Sequence, residues 1–317
     1  MFTYFTVEPV SRTGVVRKYL ALLCLVFFCG TVDAGIATEL SEKYDEIEES
    51  LFDNEYGIPI FLESDDDKDL MKGEVYGVIY HPFRKVSHSL ASIKNWCEIM
   101  PQHLNIKACT YEFTNNQCRL TFFSAGKKYK KADNAYQLKY QFKVDASNDE
   151  YFNATLNAKD GPLDTTNYNI IVSAIPLSDK STFVYISYQY RNGFITRVAM
   201  STYLATIGRN KIGFSIEGRD ADNQPVYIKG IRGVIERNAM RYYFAIMSYL
   251  NTQAIKNNEG FNSRISHWYD LTERYHKQLH EMDKADYLRY KKMERQDQVR
   301  LQRMITPVKN IETRCLH

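Results

Sequence analysis

The chain has 317 residues, of which 41 are basic and 38 are acidic, so its formal net charge at pH 7 is +3. This near balance lacks the basic excess of nucleic-acid-binding proteins, and we expect no nucleic-acid partner. Hydrophobic residues make up 44% of the chain, and its length suits one large domain, alone or with an extension.

Residues 1–34 have the pattern of a secretory signal peptide. Arg17 and Lys18 precede the apolar run YLALLCLVFFCG, and Ala34 is a small residue in front of a cleavage point at Gly35. The apolar run is shorter than the roughly 20 residues that a spanning helix needs, and a retained anchor is the alternative. The sequence therefore predicts a secreted, periplasmic protein whose mature chain begins at residue 35.

Four cysteines remain after this cleavage. In an oxidising compartment they are first interpreted as disulfide partners. We predict a Cys97–Cys109 bond, which would contribute roughly 3 kcal/mol in the chain-entropy model. Cys109–Cys118 is the competing pair across a hairpin, and the redox states of Cys118 and Cys315 stay open. A zinc site is not predicted, because His103 would be a third ligand without a fourth nearby.

The first part of the mature chain is acidic and then strand-forming. Residues 35–55 form an acidic lead-in, for which a short helix and a mobile segment are both compatible with the composition. YGIPIFLES predicts a strand, DDDKD a turn, and GEVYGVIYHPF a second strand. The acidic turn lacks the alternating spacing of a calcium loop, so a solvated hairpin tip is the preferred interpretation.

A helix and a series of strands follow. RKVSHSLASIKNWCEIM has apolar residues at the three-to-four spacing of an amphipathic helix, and Pro101 ends it. Six segments rich in β-branched and aromatic residues come next, separated by turn sequences. They predict an antiparallel meander and read IKACTYEF, CRLTFFSAG, AYQLKYQFKVD, YFNATLNAK, NYNIIVSAIPL and STFVYISYQY.

The remainder is mainly helical. Residues 194–229 predict a helix that stops at Gly208 and a hairpin that turns at DADNQ. RGVIERNAMRYYFAIMSYLNTQAI predicts a strong helix with a wide apolar face. Residues 263–304 continue with apolar positions at heptad-like spacing and one slip, which predicts a second long helix.

This order of elements resembles the START-related lipid-transfer and polyketide-cyclase superfamily, which has a helix-grip fold. VYGVIYHPFRKVSHSLASIKNWCEIMPQHLNIKACTYEF is the stretch most similar to it. The resemblance implies an α+β fold in which a curved antiparallel sheet grips a long C-terminal helix around an apolar cavity. It covers residues 56–255, with 194–229 as an insertion and 256–317 as a helical extension. The chain also resembles exported bacterial proteins that share NWC…KACTY and IERNA.RYYFAI, which imply no particular function.

The sequence contains none of the common catalytic or nucleotide-binding motifs. We therefore predict no catalytic residue, no cofactor and no metal. His276 and His280 stand four positions apart in the last predicted helix, a spacing that suits a metal. In a helix with so many charges, a solvated histidine pair is the preferred interpretation.

Aromatic residues are abundant, with 24 Tyr and 17 Phe in the chain. Tyrosine combines an apolar ring with a polar tip and suits a cavity for an amphipathic ligand, although the rings would equally serve to pack sheet against helix. Arg237 and Arg241 stand one helical turn apart and would either clamp an anionic head group or pair with Glu236 and sheet carboxylates. The predicted ligand-binding set is Trp96, Tyr111, Tyr140, Tyr188, Arg237, Asn238, Arg241 and Tyr242.

Three functions compete on this basis. The leading hypothesis is a non-enzymatic domain that holds a hydrophobic or amphipathic, lipid-like small molecule between sheet and helix. The basic loop at 126–133 could contact anionic membrane lipids at the periphery. The simpler interpretation is a solvated loop. The alternatives are a protein–protein interaction module, or homo-oligomer, that uses residues 263–304, and a cyclase- or hydrolase-like enzyme with a Tyr or His as acid or base.

Overall fold

The computed structural model describes residues 31–305, except Lys68, Ile207 and Lys256, together with residues 311–315. Most of the predicted signal peptide lies outside the described residues, so cleavage and export stay predictions. In the part of the chain that is described, no helix combines the length and the apolar character needed to cross a membrane.

The elements follow the predicted order closely. The helices are α1 (Thr31–Phe52), α2 (Phe83–Ala91), α3 (Ile93–Ile99), α4 (Phe194–Ala205), α5 (Gly230–Thr252), α6 (Asn257–Glu273), α7 (His276–Leu279), α8 (Lys284–Arg303) and α9 (Ile311–Arg314). The strands are β1 (Ile60–Asp65), β2 (Leu70–Ile79), β3 (Ile106–Thr114), β4 (Gln117–Ser124), β5 (Tyr136–Ser147), β6 (Phe152–Asp160), β7 (Thr166–Ser178), β8 (Ser181–Arg191), β9 (Ile216–Arg219) and β10 (Pro225–Tyr227).

Strands β1 to β8 form one antiparallel sheet in the order β1-β2-β8-β7-β6-β5-β4-β3. From β2 the chain crosses through α2 and α3 to the far edge, then returns strand by strand until β8 pairs with β2, with Val75 opposite Ile186. Register irregularities in the β5–β6 and β7–β8 pairs help the sheet to curve. The predicted α+β fold, a curved antiparallel sheet that grips a long helix, is confirmed.

The period of two along each strand gives the sheet two different faces. In β5, Leu138, Tyr140 and Phe142 are buried, whereas the residues between them are exposed. The inner face meets α5. Part of the outer face is covered by α1, the acidic lead-in, through Leu40 and Leu51. Of the two alternatives for this segment, the structure therefore shows the helix.

Helix α5 lies closest to the sheet at β2, where two glycines face it. A β-carbon at Gly77 would overlap the ring of Tyr243, and one at Gly73 would come within 3.3 Å of the Ile235 carbonyl oxygen. The absence of side chains here permits the close approach. Farther across the sheet, the inner faces of β7 and β8 carry tyrosine rings instead. A space therefore opens between α5 and that half of the sheet.

The predicted helices at 84–100 and 263–304 are both interrupted. Ser92 is extended (φ −83°, ψ 116°) and caps α3 by accepting a hydrogen bond from Asn95 N. Tyr275 leaves the helical region (φ −111°, ψ 51°), and its hydroxyl donates to the Tyr56 carbonyl at 2.7 Å. The additional C-terminal helix is therefore present in pieces, α6, α7 and α8, because contacts with the rest of the fold outweigh the helical pattern.

Helix α8 covers the edge strand β3 with glutamine side chains. Gln302 accepts a hydrogen bond from Tyr111 N at 2.9 Å and donates one to Tyr111 O at 3.0 Å. Gln298 accepts from Cys109 N and donates to Cys97 O, both at 2.9 Å. These amides occupy the backbone groups that an additional strand would use. One face of the helix predicted to bind a partner thus packs inside its own chain.

Two disulfides link the four cysteines that follow the predicted signal peptide. Cys97–Cys109 joins α3 to β3 with a Cα–Cα distance of 4.9 Å, as predicted. Cys118–Cys315 joins β4 to the segment after α9 at 5.7 Å. The competing Cys109–Cys118 pair is therefore not formed, and the sequence reading gave no partner for Cys315.

Candidate functional site

A cavity of about 390 Å³ lies between α5 and the inner face of the sheet. Its wall is formed by β4, β5, β7 and β8 on one side and by α5 on the other, with α4 and the β6–β7 loop at the mouth. The volume lies within the range of roughly 300–1,000 Å³ found for small-molecule pockets.

One face of α5 forms the helical side of the cavity. Its lining residues are Val234, Arg237, Asn238, Arg241 and Tyr242. Their spacing of three and four positions places them together on one side of the helix. Two cations, an amide and a phenol therefore enter the cavity from a single rigid element.

The sheet side is a continuous aromatic surface. Tyr140 contacts Tyr168 with ring centroids 6.4 Å apart, and Tyr168 stacks on Tyr190 at 5.1 Å. Tyr188 meets Tyr242 of α5 edge to face, also at 5.1 Å. Burial raises the pKa of all these phenols, in the case of Tyr168 to about 12. They remain neutral at physiological pH, so their hydroxyl groups can both donate and accept hydrogen bonds.

A carboxylate surrounded by cations closes one end of the cavity. Glu281, in the turn between α7 and α8, is 3.0 Å from Arg241, 2.5 Å from Lys127 and 3.1 Å from Lys211. Burial alone would raise the pKa of Glu281, but Arg241 and the two lysines outweigh it and lower the pKa. The group therefore stays ionised and leaves a surplus of positive charge at this end.

Arg237 adds to this surplus. It donates to the Ile212 carbonyl at 2.9 Å, and among the described residues it makes no ion pair. Glu236, the partner that the sequence offered as an alternative, points away and accepts hydrogen bonds from Phe214 N and Ser215 N. Burial lowers the pKa of Arg237, and the neighbouring Arg241 lowers it further. Glu281 attracts this charge from a greater distance, and none of the described acidic side chains forms a direct ion pair with it.

Two polar atoms of the cavity residues lack a hydrogen-bond partner among the described residues. These are Nε2 of His103 and Nε of Arg241, both buried. The Nδ1 atom of His103 accepts a hydrogen bond from Asn105 N at 3.2 Å, so the ring proton is on Nε2. Burial, then the charges of Arg241 and Lys291, hold the pKa of His103 well below its usual value. Buried donors without partners are rare, and a bound acceptor group would satisfy them.

The mouth of the cavity is built on a strained turn. Leu163 and Asp164 have left-handed backbones, with φ of 55° and 57°. Asp164 accepts hydrogen bonds from Ile195 N and Thr196 N, both at 3.1 Å, and thereby caps the start of α4. Gly193 leaves room for the Asp164 carboxylate, because a β-carbon at position 193 would overlap it in its present position. The turn and α4 are thus held together beside the cavity.

Six of the eight predicted ligand-binding residues line this cavity. They are Tyr140, Tyr188, Arg237, Asn238, Arg241 and Tyr242. The structure places the other two elsewhere. Trp96 is buried in the core, where its ring nitrogen donates to the Leu90 carbonyl at 2.8 Å. Tyr111 faces the same side of the sheet as Phe122 but lines a different pocket, beside α8.

Sequence reasoning missed several members of the wall. Tyr168 occupies an inward position of β7, and the alternation along that strand would have identified it, whereas Tyr190 of β8 belongs to the strand tyrosines that suit a cavity wall but is outside the predicted set. His103 follows the α3 segment and was not predicted to line a cavity. Lys127 and Glu281 come from connections between elements, and no local pattern marks them as neighbours of the cavity.

Comparison with known proteins yields only distant matches. No protein-family model and no curated protein matches the sequence. Similar solved structures include a conserved protein from Geobacillus kaustophilus, with 10% identity over 57% of this chain and 95% of its own, at a TM-score of 0.33. The Zhui aromatase/cyclase from Streptomyces sp. R1128 has 9% identity over 58% and 96%, at 0.34. The human StAR-related lipid transfer protein 5 has 11% identity over 54% and 90%, at 0.28.

These identities and TM-scores are too low to carry an argument about function. The description of this chain as a helix-grip fold therefore rests on its own topology, the sheet order and the position of α5.

Proposed function

We propose that the protein binds an amphipathic small molecule, with an apolar body and an anionic head, in the cavity between α5 and the sheet. The observation that carries this proposal is the combination of a tyrosine wall with the unpaired charge of Arg237 in one cavity of about 390 Å³. The chemistry is that of a lipid-like or aromatic acid.

The apolar body of the ligand would contact the rings of Tyr140, Tyr168, Tyr188 and Tyr190. Each 100 Å² of apolar surface removed from water contributes about 2.5 kcal/mol at 25 cal/mol per Å². The rings already contact one another, so little side-chain entropy is lost when a ligand enters. This part of the site supplies affinity with little chemical selectivity.

The anionic head would interact with the α5 side of the cavity. Arg237 supplies a guanidinium without a direct ion pair, and Arg241 Nε and His103 Nε2 supply donors that have no hydrogen-bond partner in the described part of the chain. Charge-assisted hydrogen bonds to a carboxylate, sulfonate or phosphate are stronger than neutral ones, and the low dielectric of a buried site increases their strength. Selectivity for an acid therefore arises at this end.

Ligand exchange would take place at the mouth, and we propose that it faces an anionic membrane surface. Apolar side chains there are more than half exposed, with Leu163 at 58%, Phe194 at 71%, Ile195 at 55% and Val198 at 52%. Large exposed apolar side chains that cluster in this way are unusual on a soluble protein. Lys127 of the basic loop at 126–133 also lines the cavity, so the remaining lysines of that loop lie near its rim.

We also propose that the protein works outside the cytoplasm, in the periplasm. The signal-peptide pattern of residues 1–34 predicts export. All four cysteines of the mature chain are in disulfides, which persist in oxidising compartments.

A pair of matched fluorescent probes tests the binding site. 8-Anilinonaphthalene-1-sulfonate and N-phenyl-1-naphthylamine share an aromatic body, and only the first carries an anionic group. We expect Arg237→Gln to weaken binding of the sulfonate about tenfold, or about 1.4 kcal/mol, and to leave the neutral probe unchanged. Arg232→Gln is the control, since Arg232 lies on the same helix and hydrogen-bonds Ser64 outside the cavity.

Val234→Trp provides the second arm, because a larger side chain on the cavity face of α5 fills the space. Both probes should then bind poorly while the protein stays folded by circular dichroism. If both probes bind this variant as they bind the wild type, the cavity is not the binding site and the proposal fails.

The membrane surface is tested separately by sedimentation with vesicles of phosphatidylcholine containing phosphatidylserine. Phe194→Ser combined with Val198→Ser should reduce the bound fraction several-fold, because both exposed apolar side chains are lost. If the variant and the wild type sediment equally with the vesicles, the proposed membrane contact is wrong. The proposed binding of a ligand in the cavity would not be affected by that result.

A further inference from the structure

A second group of polar side chains lies outside the cavity, where α6 ends. Glu273 is the last residue of α6, His276 begins α7 and His280 follows it. The Oε2 atom of Glu273 is 3.0 Å from Nδ1 of His276 and 3.0 Å from Nδ1 of His280. The two imidazole rings stack with their centroids 4.1 Å apart. One carboxylate thus faces two histidines at once.

The break in the helix creates this arrangement. On a continuous helix, Glu273 and His280 would be separated by about 10 Å along the axis, at 1.5 Å for each of seven residues. Because Tyr275 leaves the helical conformation, the chain turns and brings both imidazoles to the same carboxylate. The sequence reading assumed an unbroken helix here, considered only the histidine pair and predicted no metal.

We propose that Glu273, His276 and His280 form a binding site for a divalent transition-metal ion, with Zn²⁺ as the best match. Their donor atoms all lie within 4.8 Å of one another, and among the described residues no other three His, Cys, Asp or Glu side chains converge in this way. In tetrahedral zinc sites the donors lie about 2.0–2.2 Å from the metal and therefore about 3.4 Å apart. The two Glu–His distances need only a small adjustment to reach this geometry.

The donor set and its exposure fit this class of metal. Two imidazole nitrogens and one carboxylate oxygen leave a fourth position for water, and imidazole favours Zn²⁺, Ni²⁺ and Cu²⁺ over Mg²⁺ or Ca²⁺. The side chains of Glu273, His280 and His276 are 25%, 34% and 66% exposed, so an ion can reach them from solvent. No large rearrangement of the fold is needed.

A metal at this position would restrain the segment that carries Glu281. The carbonyl oxygen of His280 accepts a hydrogen bond from Lys211 at 2.9 Å, and that of Leu279 accepts one from Arg241 at 3.3 Å. Fixing His276 and His280 to Glu273 would therefore hold the α6–α8 connection against α5. Because a ligand that binds only the folded state stabilises it, the metal should raise the melting temperature.

The test uses untagged protein, stripped with EDTA and titrated with ZnCl₂ by calorimetry. We expect one Zn²⁺ per chain, and at least tenfold weaker binding in His276→Ala and in His280→Ala. His88→Ala is the matched control, because His88 is exposed on α2, far along the chain from this site, and the variant should bind like the wild type. Zn²⁺ should raise the melting temperature of the wild type and of His88→Ala only.

Two further measurements exclude an indirect effect. Co²⁺ in place of Zn²⁺ should give a visible ligand-field spectrum in the wild type that His280→Ala lacks. Glu273→Gln removes the anionic ligand while it keeps the size of the side chain, and should also weaken binding. The proposal is overturned if the wild type binds no Zn²⁺, or if the histidine variants at 276 and 280 bind it as tightly as His88→Ala does.

Discussion

Arg241 of α5 and Glu281 of the α7–α8 connection form a buried ion pair, with Arg241 Nη2 3.0 Å from Glu281 Oε1 and both side chains less than a tenth exposed. The pair joins the central helix to the C-terminal region and also forms part of the cavity wall. Lys127 of the basic loop also forms an ion pair with Glu281. The Glu281 side chain therefore connects α5, the basic loop and the α7–α8 connection.

Replacement of this carboxylate should be strongly destabilising. We expect Glu281→Gln to lower the free energy of unfolding by about 3–5 kcal/mol, because Arg241 would remain buried without a counter-charge. Urea unfolding at neutral pH measures the loss. Glu259→Gln, at an exposed position of α6, is the control and should change stability by less than about 0.5 kcal/mol. Equal stability of the two variants would show that the ion pair contributes nothing.

The same carboxylate should make the protein sensitive to acid. The folded-state pKa of Glu281 is below its ordinary value of 4.5, so the folded protein binds this proton less readily than the unfolded chain. Its contribution is therefore fully present above pH 4.5 and is lost as pH falls through the lower, folded-state pKa. The difference between the urea midpoints of the wild type and Glu281→Gln should be largest at neutral pH and should narrow as the pH falls below 4.5. A constant difference over that range would contradict this assignment.

The close approach of α5 to β2 depends on the missing side chain at Gly77. We expect Gly77→Ala to lower the free energy of unfolding by about 1–3 kcal/mol, because the new methyl group overlaps the ring of Tyr243. Gly218→Ala is a fitting control, since a β-carbon there meets no atom within 4 Å. Thermal unfolding of the two variants distinguishes the specific overlap from a general effect of losing glycine. A tolerated alanine at both positions would show that the two elements can separate freely.

The glutamines of α8 should keep the protein from associating through its sheet edge. In the double variant Gln298→Ala and Gln302→Ala, the hydrogen bonds from Cys109 N and Tyr111 N to the two amides are lost, which weakens the protection of the β3 edge against pairing with another strand. We expect dimers or larger species by light scattering at concentrations where the wild type shows a lower mass. Gln296→Ala, exposed on the same helix, should behave like the wild type.

A monodisperse double variant with the same mass as the wild type would show that the bulk of α8 protects the edge without these hydrogen bonds.

Most of the fold could be predicted because its signals are local. The alternation of buried and exposed residues in β5, such as Leu138, Lys139 and Tyr140, is visible in the sequence and fixes one inward face. The apolar face of α5 likewise follows from its own spacing. On that face the sequence also identified Arg237 and Arg241, which do line the cavity.

What could not be predicted depends on contacts between distant segments. Glu281 meets Arg241 forty residues earlier in the chain, and no periodicity relates the two. The apolar positions of residues 263–304 continue across the break at Tyr275, because the same spacing serves two shorter helices. The hydrogen bond from the Tyr275 hydroxyl to the Tyr56 carbonyl, and the meeting of Glu273 and His280, exist only once the chain is folded.

The two disulfides differ in the time at which they can form during synthesis. Cys109 has its partner 12 residues upstream, whereas Cys118 must wait for a cysteine 197 residues downstream. Cys109 and Cys118 are close together in the sequence. The β3–β4 register nevertheless places Cys118 opposite Phe113 and Cys109 opposite Phe122. Once β3 and β4 have paired in this register, the sulfur atoms of Cys109 and Cys118 are held apart along the two strands. In the folded hairpin, this register therefore keeps the Cys118 sulfur from pairing with Cys109 and leaves it for Cys315.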